Sequence, residues 1–291
     1  MLAASLNPCY PFGVFPYFDI GPVRFEPYGF LVVLGTTLGI LWLWRKREYL
    51  HAPDETPADF WALVYSVVLG GLIGGKAGYI VVEWAWFRKE PWLILLDWRS
   101  GWVFWFAVLG SIAAGKLYQI RHNRGRDRKR AYLPIADYIV TALPMGHWIG
   151  RLGCFFQGCC HGRPTSLPWG VTFSHPACNV ADDLLGVPLH PTQLYEAAGE
   201  LALAAFLYCT VIRGIERGKY RYGTAFFSFI GIYGIMRFSI ECLRGDDRGS
   251  FVSGALSPSQ WLSLAAAAIA AAALLRRGVR EEDPDGRSIY L

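Results

Sequence analysis

Charged residues are scarce in this chain of 291 residues. Asp, Glu, Lys and Arg make up 18% of it, whereas a soluble domain carries about 25%. Hydrophobic residues reach 53% and aromatic residues 15%. This composition excludes a disordered chain, a nucleic-acid-binding arm and an ordinary cytosolic globular protein, and it indicates an integral membrane protein.

Two sequence signals are missing. The first 25 residues lack a basic stretch followed by an apolar one, so we expect no cleavable signal peptide. The seven cysteines include no pair with C-x₂-C spacing, and their odd number in a long apolar chain is not typical of a disulfide scaffold. Paired cysteines are the usual sign of a zinc site, so we predict that no metal is bound.

Long apolar segments predict an all-α membrane protein. A bilayer core is about 30 Å thick, so a spanning helix needs about 20 mostly apolar residues. Glycines within these segments favour close helix packing, and therefore one bundle that forms a single transmembrane domain over residues 1–291. The seven predicted spans cover residues 28–44, 60–82, 102–120, 131–149, 193–212, 223–240 and 259–275.

Basic residues concentrate in alternate loops. They follow the first, third, fifth and seventh predicted spans, at 45–47, 121–130, 213–221 and 276–280. By the positive-inside rule these loops are cytoplasmic. We therefore expect an extracytoplasmic N-terminus, a cytoplasmic C-terminus and an extracytoplasmic loop at 150–192.

Charged side chains inside the predicted spans are costly in a bilayer and suggest a functional site. Arg237 and Glu241 are four residues apart on one helical face, with Arg244 beyond them. One interpretation is an ion pair that satisfies itself. The other is an anion site near the outer leaflet, completed by Arg151, because guanidinium groups bind phosphate in a bidentate manner. Other charged residues that we single out within the predicted spans are Lys76, Asp137, Glu196 and Glu200.

The loop at 150–192 holds Cys154, Cys159, Cys160 and His161 within eight residues. Besides a metal site, three interpretations of these cysteines remain open. They could form a disulfide with Cys178, include a thiolate activated by His161, or be small buried side chains without a chemical role.

Five sequence blocks occur in order from near Tyr28 to the last predicted span and so cover most of the chain. Two of them are Gly150-Arg151-Leu152-Gly153 and the segment from His190 to Glu196, and the others begin at Pro27, Gly74 and Tyr233. Together these blocks resemble the prolipoprotein diacylglyceryl transferase family. The first segment resembles the start of the family's signature loop, and the second resembles its His-Pro-Ser-Gln-Leu-Tyr-Glu block.

The resemblance implies a seven-span transferase of the bacterial cytoplasmic membrane that needs no cofactor. It would move diacylglyceryl from phosphatidylglycerol to the lipobox cysteine of a prolipoprotein. Its other partners would be membrane lipids, and it would bind no nucleic acid. Arg151 and Arg237 would hold the lipid headgroup. The matching blocks also contain the other binding positions Tyr28, Lys76, Gln193, Tyr195, Tyr233, Glu241 and Arg244. From the residues themselves we add Asp137, a charge within a span, and expect His190 or His161 to take the proton of the acceptor thiol.

The sequence also departs from the family pattern. Cys154 and Gln157 stand where the family has Asn, Cys159 stands where it has Glu, and Trp105 replaces a histidine that is a proposed base. These departures leave two alternatives open. One is the same donor chemistry with another acceptor, such as a small thiol or a saccharide, and the other is a non-catalytic lipid-binding or redox protein.

Overall fold

Seven long helices dominate the structure, a computed structural model that describes residues 14–50, 56–96, 101–125, 130–245 and 256–277. Each overlaps one predicted span, so the mostly helical fold is confirmed. Their bounds are α1 Pro27–Arg45, α2 Pro57–Val82, α3 Phe104–His122, α4 Tyr132–Gln157, α5 Thr192–Phe206, α6 Thr224–Glu241 and α7 Pro258–Arg277.

Four helical segments are long and apolar enough to cross a membrane by length and composition. Large apolar side chains on these segments point outward, among them Val33 at 65% exposure and Ile73 at 69%. Exposure of such side chains is unfavourable in water, whereas contact with lipid chains is favourable. The four segments are Pro27–Arg45, Pro57–Val82, Thr192–Glu216 and Pro258–Arg276.

Shorter elements connect the long helices. Strand β1 (Phe18–Ile20) pairs antiparallel with β2 (Val23–Phe25), and β3 (Val171–Thr172) pairs antiparallel with β4 (Pro188–Leu189). After Phe206, α5 continues as a π-helical stretch, Leu207–Ile212, and a final α-helical turn, Arg213–Glu216. The other short helices are Arg47–Tyr49, Trp84–Phe87, Leu93–Leu96 and Asp182–Leu184.

The chain divides into two compact units. One contains α1, α5, α6, α7 and α4 from Ala136 onward, and the other contains α2 and α3. Helix α2 begins at a capping box, in which the Thr56 backbone N–H donates to Asp59 Oδ2 over 2.9 Å and Pro57 occupies the first turn.

Glycines bring α2 and α3 together. A Cβ atom placed on Gly110 would lie 2.9 Å from the Cα atom of Gly74 and closer still to the Gly70 carbonyl. Real Cβ atoms do not approach backbone so closely, so these positions need glycine. Ser111 adds a 3.0 Å hydrogen bond from its hydroxyl to the Val67 carbonyl. The glycine-rich run therefore supports close helix packing, as predicted.

Asp137 organises the other unit. Its carboxylate accepts hydrogen bonds from the backbone N–H of Gly223 at 2.6 Å and of Phe226 at 2.8 Å, at the start of α6. A carboxylate is favourable at a helix N-terminus, where backbone N–H groups lack intrahelical partners. The side chain is fully buried. This cap accounts for a charged residue that the sequence analysis assigned to substrate binding.

Candidate active site

A buried carboxylate on α5 lies at the centre of the site. Glu196 Oε1 accepts a 2.7 Å hydrogen bond from Arg151 Nη2 on α4 and a 3.3 Å hydrogen bond from the Tyr233 hydroxyl on α6. Glu196 is 1% exposed and Tyr233 is fully buried. Three helices therefore meet at one charged contact, which fixes the position of the Arg151 guanidinium.

Arg237 forms an ion pair with Glu241, which is one of the two interpretations that the sequence spacing left open. Its Nη2 atom lies 2.6 Å from Glu241 Oε2, one turn further along α6. The other carboxylate oxygen of Glu241 accepts a 3.0 Å hydrogen bond from the Ser257 hydroxyl. Arg237 also interacts electrostatically with Glu196, as Arg151 does. Both arginines thus share one carboxylate neighbour.

The pairing leaves donor capacity on each arginine. Within the part of the chain that the structure describes, Arg151 Nε and Arg237 Nη1 are buried and have no hydrogen-bond partner. A buried, unpaired N–H of a charged group is costly and is normally satisfied by a protein group, water or ligand. The two groups can therefore each bind an anionic oxygen without giving up their carboxylate contacts.

Three thiols converge where α4 ends. The Sγ atoms of Cys154, Cys159 and Cys160 all lie within 4.8 Å of one another, and all three are free thiols. Cys160 has a backbone φ of 64°, in the left-handed region that residues other than glycine rarely adopt. Hydrogen bonds from Cys154 and Cys159, together with the positive charges of Arg244 and Arg151, hold the pKa of the Cys160 thiol well below its usual range.

Cys178 is separate from this cluster. Its thiol donates a 3.5 Å hydrogen bond to the Val14 carbonyl, and it is buried against Phe173 and Leu189. Burial raises the pKa of the Cys178 thiol. The described cysteines form no disulfide, so the Cys178 bridge considered from the sequence is not present in this structure.

Backbone hydrogen bonds hold the loop that follows α4 and carries Cys159 and Cys160. The Gly162 N–H donates to the His190 carbonyl over 2.9 Å, and the Arg163 N–H donates to the Leu243 carbonyl over 2.9 Å. Side chains at the start of α5 hold the loop as well: the Thr192 hydroxyl donates to the Cys160 carbonyl at 2.7 Å, and Gln193 Nε2 donates to the Cys159 carbonyl at 2.8 Å. The candidate binding residue Gln193 therefore also orients the thiols.

The two candidate bases have different surroundings. His161 is buried, and its Nδ1 lies 3.0 Å from the Gly162 carbonyl. Because a carbonyl can only accept, Nδ1 carries the proton, and Nε2 is left as the basic nitrogen. His190 Nδ1 lies 3.4 Å from the Tyr195 hydroxyl, which also accepts a 2.8 Å hydrogen bond from Trp169 Nε1.

The remaining predicted site residues fall in both units. Tyr28 on α1 is 41% exposed and packs beside Gly153, and Arg244 pairs through its backbone with Gly162. Lys76 belongs to the unit of α2 and α3, where it is buried with its Nζ 5.0 Å from the centre of the Tyr79 ring.

Comparisons with known proteins identify the family to which this chain is similar. A family model described as prolipoprotein diacylglyceryl transferase matches residues 16–276. A phosphatidylglycerol–prolipoprotein diacylglyceryl transferase 2 of Clostridium perfringens (strain 13 / Type A) is 34% identical over 84% of this chain and 88% of its own length. A phosphatidylglycerol–prolipoprotein diacylglyceryl transferase of Clostridium tetani (strain Massachusetts / E88) is 32% identical over 85% of this chain and 91% of its own length. The chain belongs to the prolipoprotein diacylglyceryl transferase family.

The family resemblance predicted from the motif blocks is therefore confirmed. For a prolipoprotein diacylglyceryl transferase family member, the structure adds contacts that the motifs do not show. Glu196 ends the His190 block, but only the fold brings it to Arg151 and Tyr233. His147 is a second case, because its Nδ1 lies 2.7 Å from the buried Glu200 Oε1. Carboxylates within a predicted span are the signal that could have identified both pairs.

Proposed function

We propose that this protein is a membrane transferase that moves diacylglyceryl from phosphatidylglycerol to the lipobox cysteine of a prolipoprotein. The family and the names of the relatives support this activity and do not favour the alternatives of another acceptor or of a non-catalytic paralogue. The observation that carries the proposal is the pair of buried arginines, each with a guanidinium N–H that has no partner among the described residues.

The reaction is a displacement at a glycerol carbon. The acceptor sulfur forms a bond to the diacylglyceryl carbon that bears the phosphate, and the carbon–oxygen bond breaks with its electrons going to the oxygen. Glycerol phosphate leaves with one more negative charge than the phosphodiester carried, on the oxygen that was released. Arg151 and Arg237 would stabilise that charge, because they remain protonated and stay oriented by Glu196 and Glu241.

The acceptor thiol must also lose its proton, since the thiolate is the nucleophile. His190 and His161 are the proposed bases. His161 keeps Nε2 available, and His190 lies directly before α5, the helix that carries Glu196. The remaining residues proposed to contact the substrates are Tyr28, Lys76, Gln193, Tyr195, Tyr233, Glu241 and Arg244.

The proposed setting is the bacterial cytoplasmic membrane, with seven crossings and an extracytoplasmic N-terminus. The four apolar helices and the alternating basic loops support it. Single cysteines at positions 125 and 165 test the orientation in intact cells. An impermeant thiol reagent should reach position 165 and not 125, and the reverse pattern would invert the topology.

The purified protein, labelled phosphatidylglycerol and a synthetic lipobox peptide test the activity. We expect label to appear on the peptide cysteine by mass spectrometry, and no label on a matched peptide with serine in its place. Complementation of a strain depleted of its own transferase is the corresponding test in cells. Lipid binding without transfer to the peptide would contradict the proposed acceptor, and absence of lipid binding would contradict the activity altogether.

A further inference from the structure

The thiol cluster of Cys154, Cys159 and Cys160 has no role in the displacement described above. Its three Sγ atoms lie within 4.8 Å of one another, and each residue is only partly buried. Cysteines that serve only packing are usually fully buried and inert, and Cys178 is such a buried residue. Three neighbouring thiols on residues that are only partly buried instead suit reaction with one another.

Cys160 is the activated member of the cluster. Its sulfur interacts with both other thiols and with the positive charges of Arg244 and Arg151. At pH 7 a thiol with an ordinary pKa of about 8.5 is ionised to about 3%. A Cys160 thiol that is mostly ionised at pH 7 would therefore carry far more thiolate than an ordinary cysteine, although the lower nucleophilicity of a less basic sulfur offsets much of that gain in rate.

The cluster also lies beside the arginines proposed to bind the lipid headgroup. Arg151 precedes Cys154 by three residues on α4, and Arg244 pairs through its backbone with Gly162, two residues after Cys160. Both arginines interact electrostatically with Cys160. A thiolate at Cys160 therefore competes with an anionic headgroup for these guanidinium charges. Removing that negative charge leaves the arginines more available to phosphate.

We propose that the Cys154–Cys159–Cys160 cluster is a thiol–disulfide exchange site for small-molecule or protein disulfides, and that its oxidation strengthens phosphatidylglycerol binding. The second half rests on the proposed function, whereas the exchange chemistry does not. The substrate disulfide is the oxidant, and the cluster is the reductant.

The exchange proceeds in two balanced steps. The Cys160 thiolate attacks one sulfur of the substrate disulfide, forms a mixed disulfide and releases the other half as a thiolate. Cys154 then loses its proton and attacks Cys160 Sγ, which forms the internal disulfide and releases the second half. The two released thiolates take up two protons, so two cysteine thiols and one disulfide become one cysteine disulfide and two small thiols. Cys154 is the resolving residue because a bond between the adjacent Cys159 and Cys160 would close a strained ring through the backbone.

The test of exchange uses the full chain in detergent with Cys9, Cys209 and Cys242 changed to Ser, which leaves the cluster and Cys178. Oxidised glutathione is the probe, and alkylation with mass spectrometry locates each thiol. We expect a Cys154–Cys160 disulfide and an unmodified Cys178. Cys154→Ser should accumulate one glutathione on Cys160, and Cys160→Ser should form no internal disulfide. Size-exclusion chromatography and thermal unfolding check that each variant is folded.

The test of coupling measures the KM for phosphatidylglycerol before and after oxidation. We expect a decrease of about two- to fivefold, the size of one solvent-screened charge interaction. Cys160→Ser, which is neutral and cannot be oxidised, should show the lower KM under both conditions. Cys178→Ser is the matched control and should retain the shift.

Three results would overturn the proposal. Cluster thiols that react with glutathione no faster than Cys178 would reject the exchange site, as would stoichiometric metal that blocks alkylation until a chelator is added. A KM that is unchanged or higher after the disulfide has formed would reject the coupling. If the parent protein shows no transfer at all, the proposed function fails, but the mass spectrum still decides the exchange chemistry.

Discussion

Glycines bring α2 and α3 together in one unit, whereas the unit of α1 and α4–α7 holds two buried ion pairs. In the first, Gly70, Gly74 and Gly110 let two backbones approach. In the second, Arg151 contacts Glu196 and Arg237 contacts Glu241 with all four side chains largely removed from solvent. Close glycine packing needs no ligand to be complete. Buried ion pairs with unused donors leave N–H groups that water or a ligand would satisfy, and this difference is the reason we propose that the arginines of the second unit hold the anionic headgroup.

The largest expected effect comes from the arginines. Arg237→Lys should lower kcat/KM about ten- to a hundredfold, because a charge-assisted phosphate hydrogen bond contributes about 1.5–3 kcal/mol and Lys lacks the planar fork. The lipobox-peptide assay measures it. Arg163→Lys is the control, since Arg163 is exposed and makes its described contact through its backbone. Equal activity of both variants would contradict an anion site at Arg237.

Glycine packing gives the next effect, on stability rather than on catalysis. Gly110→Ala should lower the thermal midpoint clearly, because its Cβ would overlap the Gly70 carbonyl and overpacking costs about 1–3 kcal/mol. Gly115→Ala is the matched control on the same helix, since its Cβ would meet Val67 Cγ2 at an ordinary 3.5 Å. Equal midpoints for the two variants would show that α2 and α3 do not approach as closely as described.

Sequence spacing predicted what is local in these two units. Long apolar segments predicted helices that overlap those of the structure. Spacing placed Arg237 and Glu241 on one face, because they lie one helical turn apart. Contacts between distant segments carry no such period. Arg151 and Glu196 are 45 residues apart, and Asp137 is 86 residues from Gly223, so only tertiary packing reveals these partners.

The thiols show the same limit at short range. Cys154 lies in α4, whereas Cys159 and Cys160 follow it beyond Gly158, whose φ is 77°. The reversal at Gly158 brings the later thiols back to Cys154, and a spacing argument without backbone geometry could not show this. The motif blocks did indicate which loop to examine, but not which atoms meet.

Asp137→Asn separates a structural role from substrate binding. If the carboxylate only caps α6, the variant should lose about 1–3 kcal/mol of stability, because the Asn amide nitrogen cannot accept one of the two backbone hydrogen bonds and leaves that buried N–H unpaired. The KM for phosphatidylglycerol should change by less than about twofold. Thermal unfolding and steady-state kinetics on the same preparation measure both. A tenfold increase in KM with an unchanged midpoint would restore Asp137 to the substrate site.

The smallest expected effect is that of metal removal. Structural zinc sites take four protein ligands, usually with two of them as a closely spaced pair. Among the described residues, only the three thiols of Cys154, Cys159 and Cys160 form a group close enough to hold a metal ion together. We therefore expect less than stoichiometric zinc or iron by elemental analysis, and no change in midpoint or activity after dialysis against a chelator. Metal at one equivalent, lost in Cys159→Ser and retained in Cys178→Ser, would prove this prediction wrong and make the cluster a metal site.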